Sequence, residues 1–69
     1  MQISARNTLK GTVKAIKFGE VNAEIVLDLG NGLELTSTIT RTSAERLGLE
    51  VGKAAYALVK SSDVIVGVD

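Results

Sequence analysis

The stretch AEIVLDLGNGLELTSTIT, residues 23–40, decides the fold of this chain. Its first half carries apolar residues at every second position, with Glu24 and Asp28 on the opposite face, which is typical of a half-buried strand. Gly30-Asn31-Gly32 predicts a hairpin, because an Asn-Gly pair tolerates the positive φ angles of a tight turn. The second half is a further strand, apolar on one face and rich in threonine on the other. Its apolar positions are Leu33, Leu35 and Ile39, and its threonines are Thr36, Thr38 and Thr40.

Upstream of this hairpin, apolar or small residues alternate with polar ones from Leu9 to Ala15, which predicts a first strand. The alternation slips at Ala15-Ile16, where a bulge or bend is expected. Lys17-Phe18-Gly19-Glu20 is interpreted as the turn that leads into the second strand.

Downstream of the hairpin, the sequence predicts one short helix. Thr42-Ser43-Ala44-Glu45 fits the capping-box pattern, Leu47 supplies an apolar contact, and Gly48 ends the helix. Val51-Gly52-Lys53 then turns the chain into a fourth strand that runs from Ala54 to Lys60.

The last segments complete the predicted fold. Ser61-Ser62-Asp63 predicts a turn, and Val64-Ile65-Val66-Gly67-Val68 is apolar on both faces. Such a segment is either a central fifth strand or one covered by a partner. We therefore expect an all-β fold with a single domain over residues 1–69. It would be a small five-stranded OB-like barrel with one short helix between strands 3 and 4.

The composition favours an oligomer. The chain has 69 residues, 45% of them hydrophobic, and it has neither Cys nor His. A domain of this size buries only about 60% of its unfolded surface and usually needs a disulfide, a metal or a partner chain. Disulfides and zinc sites are excluded here, so association with further copies is the remaining source of stability.

Charge and motif content exclude several classes of function. Eight basic residues balance eight acidic ones, so no overall field attracts nucleic acid or an acidic membrane. No apolar run approaches the roughly 20 residues that span a bilayer, and no signal peptide is expected. Without His or Cys the usual general bases and thiol nucleophiles are missing, so an enzyme is not expected. The lack of Cys is compatible with a cytoplasmic location.

Hydrogen-bond donors are dispersed along the chain. Ser4 and Arg6 lie two residues apart, so on an extended strand their side chains point the same way. Thr40 and Ser43 lie near the predicted helix start, where unpaired N–H groups favour anions, and Lys60 ends an apolar strand. Each feature also has a simpler interpretation: a solvated N-terminus, ordinary helix capping, or a surface Lys lying along apolar residues.

Taken together, these residues predict a site for a fully ionised tetrahedral anion. Arg and Lys only donate hydrogen bonds, hydroxyls can serve either way, and no Asp or Glu belongs to the set. A protonated phosphate needs an acceptor, so the set favours molybdate, tungstate or sulfate, and Arg6 with Lys60 matches a dianion. A small barrel of one chain would not easily bring these residues together. If two chains share the site, binding is coupled to association.

Several motifs, in order, resemble the molybdate-binding Mop family, also called molbindins. The opening Ser4-Ala5-Arg6-Asn7 is followed by Leu9-Lys10-Gly11-Thr12-Val13. Further matching segments are Val21-Asn22-Ala23-Glu24-Ile25, Ile39-Thr40, Ser43 with Leu47-Gly48-Leu49, Val51-Gly52-Lys53 and Leu58-Val59-Lys60. The resemblance covers essentially the whole chain, and the opening tetrad with the late Lys is its most specific part.

The resemblance implies a homo-oligomer, a hexamer built as a trimer of dimers, in which the N-terminal strand is exchanged between subunits. It also implies molybdate or tungstate bound between subunits, with no other cofactor. One side of the site would comprise Ser4, the Ala5 backbone, Arg6, Lys60 and Ser61, and a neighbouring chain would supply Thr40 and Ser43. Family members often have Ala in place of Ser61, so its backbone N–H is implied rather than its hydroxyl. A second anion site near the symmetry axis would involve Asn22 and the backbone near Gly19.

Three functions remain open at this point. The first is intracellular molybdenum storage or homeostasis by a protein that performs no catalysis. The second is a molybdate-sensing subunit that docks on a regulator or transporter. The third is a nucleic-acid-binding OB module, although only Phe18 and Tyr56 could stack on bases.

Overall fold

The fold is an antiparallel sheet that curls into half of a barrel, in a computed structural model that describes residues 1–69. The strands are β1 (Asn7–Phe18), β2 (Asn22–Gly30), β3 (Leu33–Thr40) and β4 (Ala54–Val59); the helix is α1 (Arg41–Leu47), and a 3-10 turn covers Ser61–Asp63. The sheet order is β3-β2-β1-β4, and α1 packs against β2 and β3. The chain contains no helix with the length and apolar character of a membrane-crossing segment.

β1 organises the sheet because it pairs with two strands along different parts of its length. Its first half pairs with β4 and its second half pairs with β2. The register with β2 shifts between Val13 and Ala15, so the predicted bulge exists and lies at Lys14, slightly earlier than expected. A bulge bends its strand and increases the local twist, which allows one continuous strand to serve both parts of a curled sheet.

Gly11 of β1 lies directly against the end of β2, with no room for a side chain. A Cβ atom at this position would lie 2.7 Å from the backbone oxygen of Asp28 and 2.9 Å from Cδ2 of Leu29. Real side chains do not approach that closely, so the tight curl of the sheet depends on glycine here.

The predicted β2–β3 hairpin is confirmed. β2 ends at Gly30 and β3 begins at Leu33, so Asn31 and Gly32 form a two-residue loop. Their φ angles are 53° and 78°, and a type I′ turn needs positive φ at both positions. Asp28 Oδ1 accepts a hydrogen bond from the backbone N–H of Gly30 at 2.8 Å, which stabilises the chain where it enters the turn.

The core is small and lies on the concave face of the sheet. Its five buried residues are Val13, Ala23, Ile25, Leu27 and Ala44. Ala44 is the only one that comes from α1, whereas Leu47, which we expected to supply an apolar contact, is 57% exposed. The helix therefore sits close to the sheet through a small side chain.

The predicted fifth strand is wrong for the single chain. Residues 64–69 form no regular secondary structure, and Ile65, Val66 and Val68 are 95%, 84% and 96% exposed. A strand needs a neighbour to pair its backbone groups, and no strand of the same chain pairs with this segment. The chain thus has four strands rather than five, and its barrel is open.

Two local boundaries also differ from the sequence-based expectation. Lys17 and Phe18 belong to β1 rather than to a turn, because cross-strand pairs with β2 continue to that point. The capping box predicted at Thr42 and Glu45 does not form, since the N-cap is Thr40 and the helix begins at Arg41, two residues earlier than that box requires. Glu45 instead forms an ion pair with Arg41, at 3.5 Å.

An apolar cleft of about 570 Å³ opens on the concave side of the sheet, between β3 and β4. Its walls come mainly from Leu35 and Ile39 of β3 and from the whole of β4, and Leu49 also lines it. It lies where a closed barrel would have its remaining strand.

Candidate functional site

The first donor group gathers where β1 begins and β4 ends. Asn7 and Val59 form the last pair of this antiparallel ladder, so the next residues outward on the two strands are Arg6 and Lys60. Asn7 Nδ2 donates a hydrogen bond to Val59 O at 3.2 Å, which ties the two strand ends together. Backbone pairing thus brings residues more than fifty positions apart in sequence to one place.

The cations of this group have no partner within the chain. The only two ion pairs are Lys14–Glu34 and Arg41–Glu45, so neither Arg6 nor Lys60 has a carboxylate within 4.0 Å. Neither side chain donates a hydrogen bond to protein either, and both residues are exposed. Two like charges on neighbouring strand ends repel one another, and no acidic side chain of the chain offsets that repulsion.

The other expected members of this group surround the same strand ends. Ser4 is exposed and lies just before β1, and Ala5 is half-buried beside it. Ser61 opens the 3-10 turn that follows Lys60, and no side chain caps that turn. The group therefore combines hydroxyls, backbone amides and two cations without an acidic side chain among the five residues.

The second donor group lies at the start of α1. Thr40 is the N-cap residue, and its Oγ1 accepts a hydrogen bond from the backbone N–H of Ser43 at 3.0 Å. The same hydroxyl donates to Ser43 Oγ at 2.7 Å. The simpler interpretation of this pair, helix capping, is thus realised, and the cap fixes both hydroxyls in one small cluster.

The two donor groups lie at opposite ends of the sheet. Thr40 pairs with Asn22 on β2, and the β1–β2 ladder ends close by, at Phe18 and Ala23. The Arg6 group lies at the other end of β1, eleven residue steps away, or about 35 Å along a straight strand. Curling shortens this separation, but no pairing in the chain joins the two groups. One chain holds two halves of the predicted set rather than the whole.

The residues expected at a second anion site form a structured turn. Gly19 donates its backbone N–H to Asn22 O at 2.7 Å, and its carbonyl accepts a hydrogen bond from Arg41 Nη1 at 3.2 Å. Both backbone groups of Gly19 are therefore used within the chain, and the exposed residue Asn22 remains the member of this pair with a free side chain.

Sequence reasoning missed two residues that position these groups. Asn7 was quoted in the opening polar run, yet its link to Val59 depends on a register that only the folded sheet reveals. Arg41 directly follows Thr40 and contacts the β1–β2 turn. Its position next to a candidate ligand was the one available signal. Neither group resembles a metal centre, and no cluster of three or more Cys, His, Asp or Glu side chains exists in the chain.

Comparisons with known proteins identify the family of this chain. The TOBE domain family matches residues 3–66. A probable molybdenum-pterin-binding protein of Haemophilus influenzae is 51% identical over 69 residues, which is 100% of this chain and 100% of that one.

Two solved structures share the fold at high sequence identity. A molybdate-binding protein from Sporomusa ovata superimposes with a TM-score of 0.92 at 44% identity, over 99% of this chain and 100% of that chain. The cytoplasmic molybdate-binding protein ModG, solved with molybdate bound, gives a TM-score of 0.95 at 49% identity. That match covers 100% of this chain and 49% of ModG. The chain belongs to the TOBE-domain family and, within it, to the molybdenum-pterin-binding or Mop proteins.

Proposed function

We propose that this protein binds molybdate or tungstate between subunits of a homo-oligomer and serves intracellular molybdenum storage and homeostasis, in the cytoplasm and without catalysis. Support comes from the family, whose relatives are named as molybdenum-pterin- or molybdate-binding proteins. Support also comes from the chemistry of the two donor groups described above.

The observation that carries the proposal is the pair of cations Arg6 and Lys60 at adjoining strand ends, with no carboxylate beside either. A dianion placed between them neutralises two charges at once, and charge-assisted hydrogen bonds are the strong ones. Burial of the anion is tolerable only with this pairing, because an isolated charge is costly to desolvate.

The donor set also favours an unprotonated anion over phosphate. Arg and Lys have no acceptor, and the Thr40 hydroxyl already accepts from the backbone of Ser43. A phosphate that carries a proton finds an acceptor only in a hydroxyl oxygen of the set, which holds no carboxylate, and a proton left without a partner costs about 1–3 kcal/mol. Molybdate and tungstate carry no such proton near neutral pH.

The separation of the two donor groups supports a site shared by two chains. In this proposal Ser4, Ala5, Arg6, Lys60 and Ser61 of one chain meet Thr40 and Ser43 of another. Asn22, with the Gly19 turn, is proposed to face a second anion near a symmetry axis of the assembly. Anion binding then strengthens association by mass action, because the complete site exists only in the oligomer.

The open barrel supports the same oligomer, which we propose to be a hexamer made as a trimer of dimers. An apolar cleft and an exposed apolar segment at residues 64–68 are both features that a partner chain would cover. Exchange of the N-terminal strand remains part of the proposal. Within a single chain β1 pairs with its own β2 and β4, so exchange would replace one of these ladders with an equivalent one between subunits.

Isothermal titration with molybdate, tungstate, sulfate and phosphate tests the proposal. We expect molybdate and tungstate to bind tightly and phosphate to bind at least tenfold more weakly. Native mass spectrometry with and without molybdate, on the same sample, counts subunits and bound anions together. Phosphate binding without molybdate binding, or a monomer that binds as well as any oligomer, would contradict the proposal.

A further inference from the structure

We propose that Arg41 is a positioning residue, which holds the Thr40–Ser43 half of the oxyanion site in place by clamping the start of α1 against the β1–β2 turn. This inference rests on the proposed function and adds to it a residue outside the donor set. Arg41 itself is assigned no contact with the anion.

The need for a clamp follows from the length of the helix. α1 has seven residues, and an isolated helix below about 12–15 residues is marginal in water even when its sequence is favourable. Its one buried residue is Ala44, which contributes little apolar area. Tertiary contacts at its two ends must therefore fix its position.

The C-terminal end of α1 is held independently of Arg41. Gly48 adopts a left-handed conformation and donates its N–H to Glu45 O at 3.0 Å. Lys53 Nζ donates to Gly48 O at 3.1 Å, and Leu49 N donates to Ala44 O at 3.3 Å. These contacts leave the N-terminal end, where the candidate hydroxyls lie, to be held by other groups.

Arg41 makes four contacts at that N-terminal end. Its backbone N–H donates to Val21 O at 2.7 Å, and its Nη1 donates to Gly19 O at 3.2 Å. Its guanidinium carbon lies 5.3 Å from the centre of the Phe18 ring, and its Nε pairs with Glu45 at 3.5 Å. One residue thus joins the end of β1, the following turn and the first turn of the helix.

The consequence for the site is geometric. Thr40 and Ser43 are exchanging two hydrogen bonds, and both lie within two residues of Arg41. When the guanidinium is removed, the backbone bond to Val21 remains but the side-chain contacts to the turn and to Phe18 are lost. The helix start is then free to shift, and hydroxyls that must match a rigid anion are misplaced part of the time.

The test compares Arg41→Met, Arg41→Lys and Arg46→Ala in the assembled protein. Met keeps much of the aliphatic stem and removes the charge, whereas Lys can keep a cation over Phe18 and a bond to Gly19 O. Arg46 lies on the same helix, is exposed and makes no ion pair or side-chain hydrogen bond, so it is the matched control.

Two readouts separate positioning from general stability. We expect R41M to weaken molybdate binding about tenfold and to speed amide exchange at Ser43 at least fivefold, while the urea midpoint changes little. R41K should recover most of the wild-type affinity for molybdate and most of the wild-type exchange rate at Ser43. R46A should change neither quantity. Amide exchange is measured without anion, so it tests the clamp even if molybdate does not bind the wild-type protein, which would defeat the proposed function alone. Wild-type Ser43 exchange in R41M would overturn the inference, as would a failure of R41K to differ from R41M.

Discussion

At the scale of single residues, the positions that matter most are two charged residues, Arg6 and Lys60, and one glycine, Gly11. The chain has eight acidic residues, yet none of them forms an ion pair with Arg6 or Lys60. Other cations of the chain also lack an acidic partner, so what singles out Arg6 and Lys60 is that they are unpaired and also adjacent, at two strand ends that the β1–β4 ladder brings together.

The first prediction concerns Arg6. Arg6→Ala should weaken molybdate binding by about 2–5 kcal/mol, which is roughly thirtyfold or more, because it leaves the charge of a bound dianion partly unpaired. Isothermal titration measures the change, with Arg46→Ala as the control for loss of an exposed positive charge. Equal affinities for Arg6→Ala and the wild type would remove Arg6 from the site.

The second prediction concerns Gly11. Gly11→Ala should lower the free energy of unfolding by about 1–3 kcal/mol, because the new methyl group meets the backbone of Asp28 rather than a flexible side chain. Urea denaturation measures the loss. Gly67→Ala is the matched control, since a Cβ at Gly67 meets no atom within 4 Å and its φ is not positive. If both variants unfold at the same urea concentration, the close approach at Gly11 is not important for stability.

At the scale of elements, the helix cap decides how Thr40 can act. Its hydroxyl accepts from Ser43 N and donates to Ser43 Oγ, so in the free chain the one hydroxyl proton of Thr40 is already used within the helix start. To donate to an anion, the Thr40 proton must turn away from Ser43 Oγ, while the cap bond to Ser43 N can remain.

Substitution of Thr40 separates capping from ligand binding. Thr40→Ala should cost about 1 kcal/mol of stability through the lost cap and should also weaken molybdate binding, whereas Thr40→Ser should preserve both. Thermal denaturation and isothermal titration on the same samples measure the two effects. Thr42→Ala is the control, because Thr42 is exposed and forms no cap. A destabilised Thr40→Ala with wild-type affinity would mean that the hydroxyl only caps the helix.

A second element-scale prediction concerns the ion pair that crosses the sheet. Lys14, at the bulge of β1, hydrogen-bonds to Glu34 of β3. That hydrogen bond and the charge of Glu34 raise the pKa of Lys14 above its ordinary value of 10.5, with a smaller contribution from Asp28. Asp28 and Glu34 face each other across the β2–β3 ladder, so the cation also offsets their repulsion.

The sign of the pH dependence follows from the direction of that shift. Because the folded state holds the Lys14 proton more tightly than the unfolded state, the contribution is complete below the ordinary pKa of 10.5. It is lost as the pH rises through the raised pKa. The melting temperature of the wild type should therefore exceed that of Glu34→Gln by a constant margin from pH 7 to 10. This difference in melting temperature should shrink at higher pH. Thermal melts across this range test the expectation, and a margin that does not narrow as the pH rises beyond 10.5 would contradict it.

Residue patterns recovered the elements more reliably than their ends. The alternation in β1 and β2, the Asn-Gly hairpin, the slip that marks the bulge and the Gly48 stop all describe short-range geometry, which a few neighbouring residues determine. The helix start was misplaced, because Thr40, Thr42 and Ser43 can all cap and only the end of β3 selects among them.

At the scale of the whole molecule, the main feature is the large apolar surface that a single chain leaves exposed. Only five residues are buried, while the segment from Val64 to Val68 and the cleft between β3 and β4 remain open to water. A single hydrophobic core of this size supplies little stability. Assembly is therefore expected to be part of the stable form rather than an addition to it.

A charge in the exposed C-terminal segment tests this expectation. Ile65→Asp should be harmless to a single chain, since Ile65 is 95% exposed, but it should disrupt an interface that buries this segment. Native mass spectrometry and size-exclusion chromatography should show a smaller assembly. Val51→Asp, at an exposed apolar residue of the turn before β4, is the control and should assemble like the wild type. Unchanged assembly of Ile65→Asp would exclude this segment from the interface.

The sequence by itself determined the strand periodicity, the hairpin and the short helix, because each depends on residue type and local spacing. It also supplied the candidate donors on which the proposed site rests. Only the tertiary structure decided that Arg6 and Lys60 become neighbours, that Thr40 and Ser43 lie at the far end of the sheet, and that the last apolar segment finds no strand to pair with. The reason is that strand pairing is a long-range choice. Its hydrogen bonds join residues distant in sequence, and nothing in either segment alone specifies the register in which they meet.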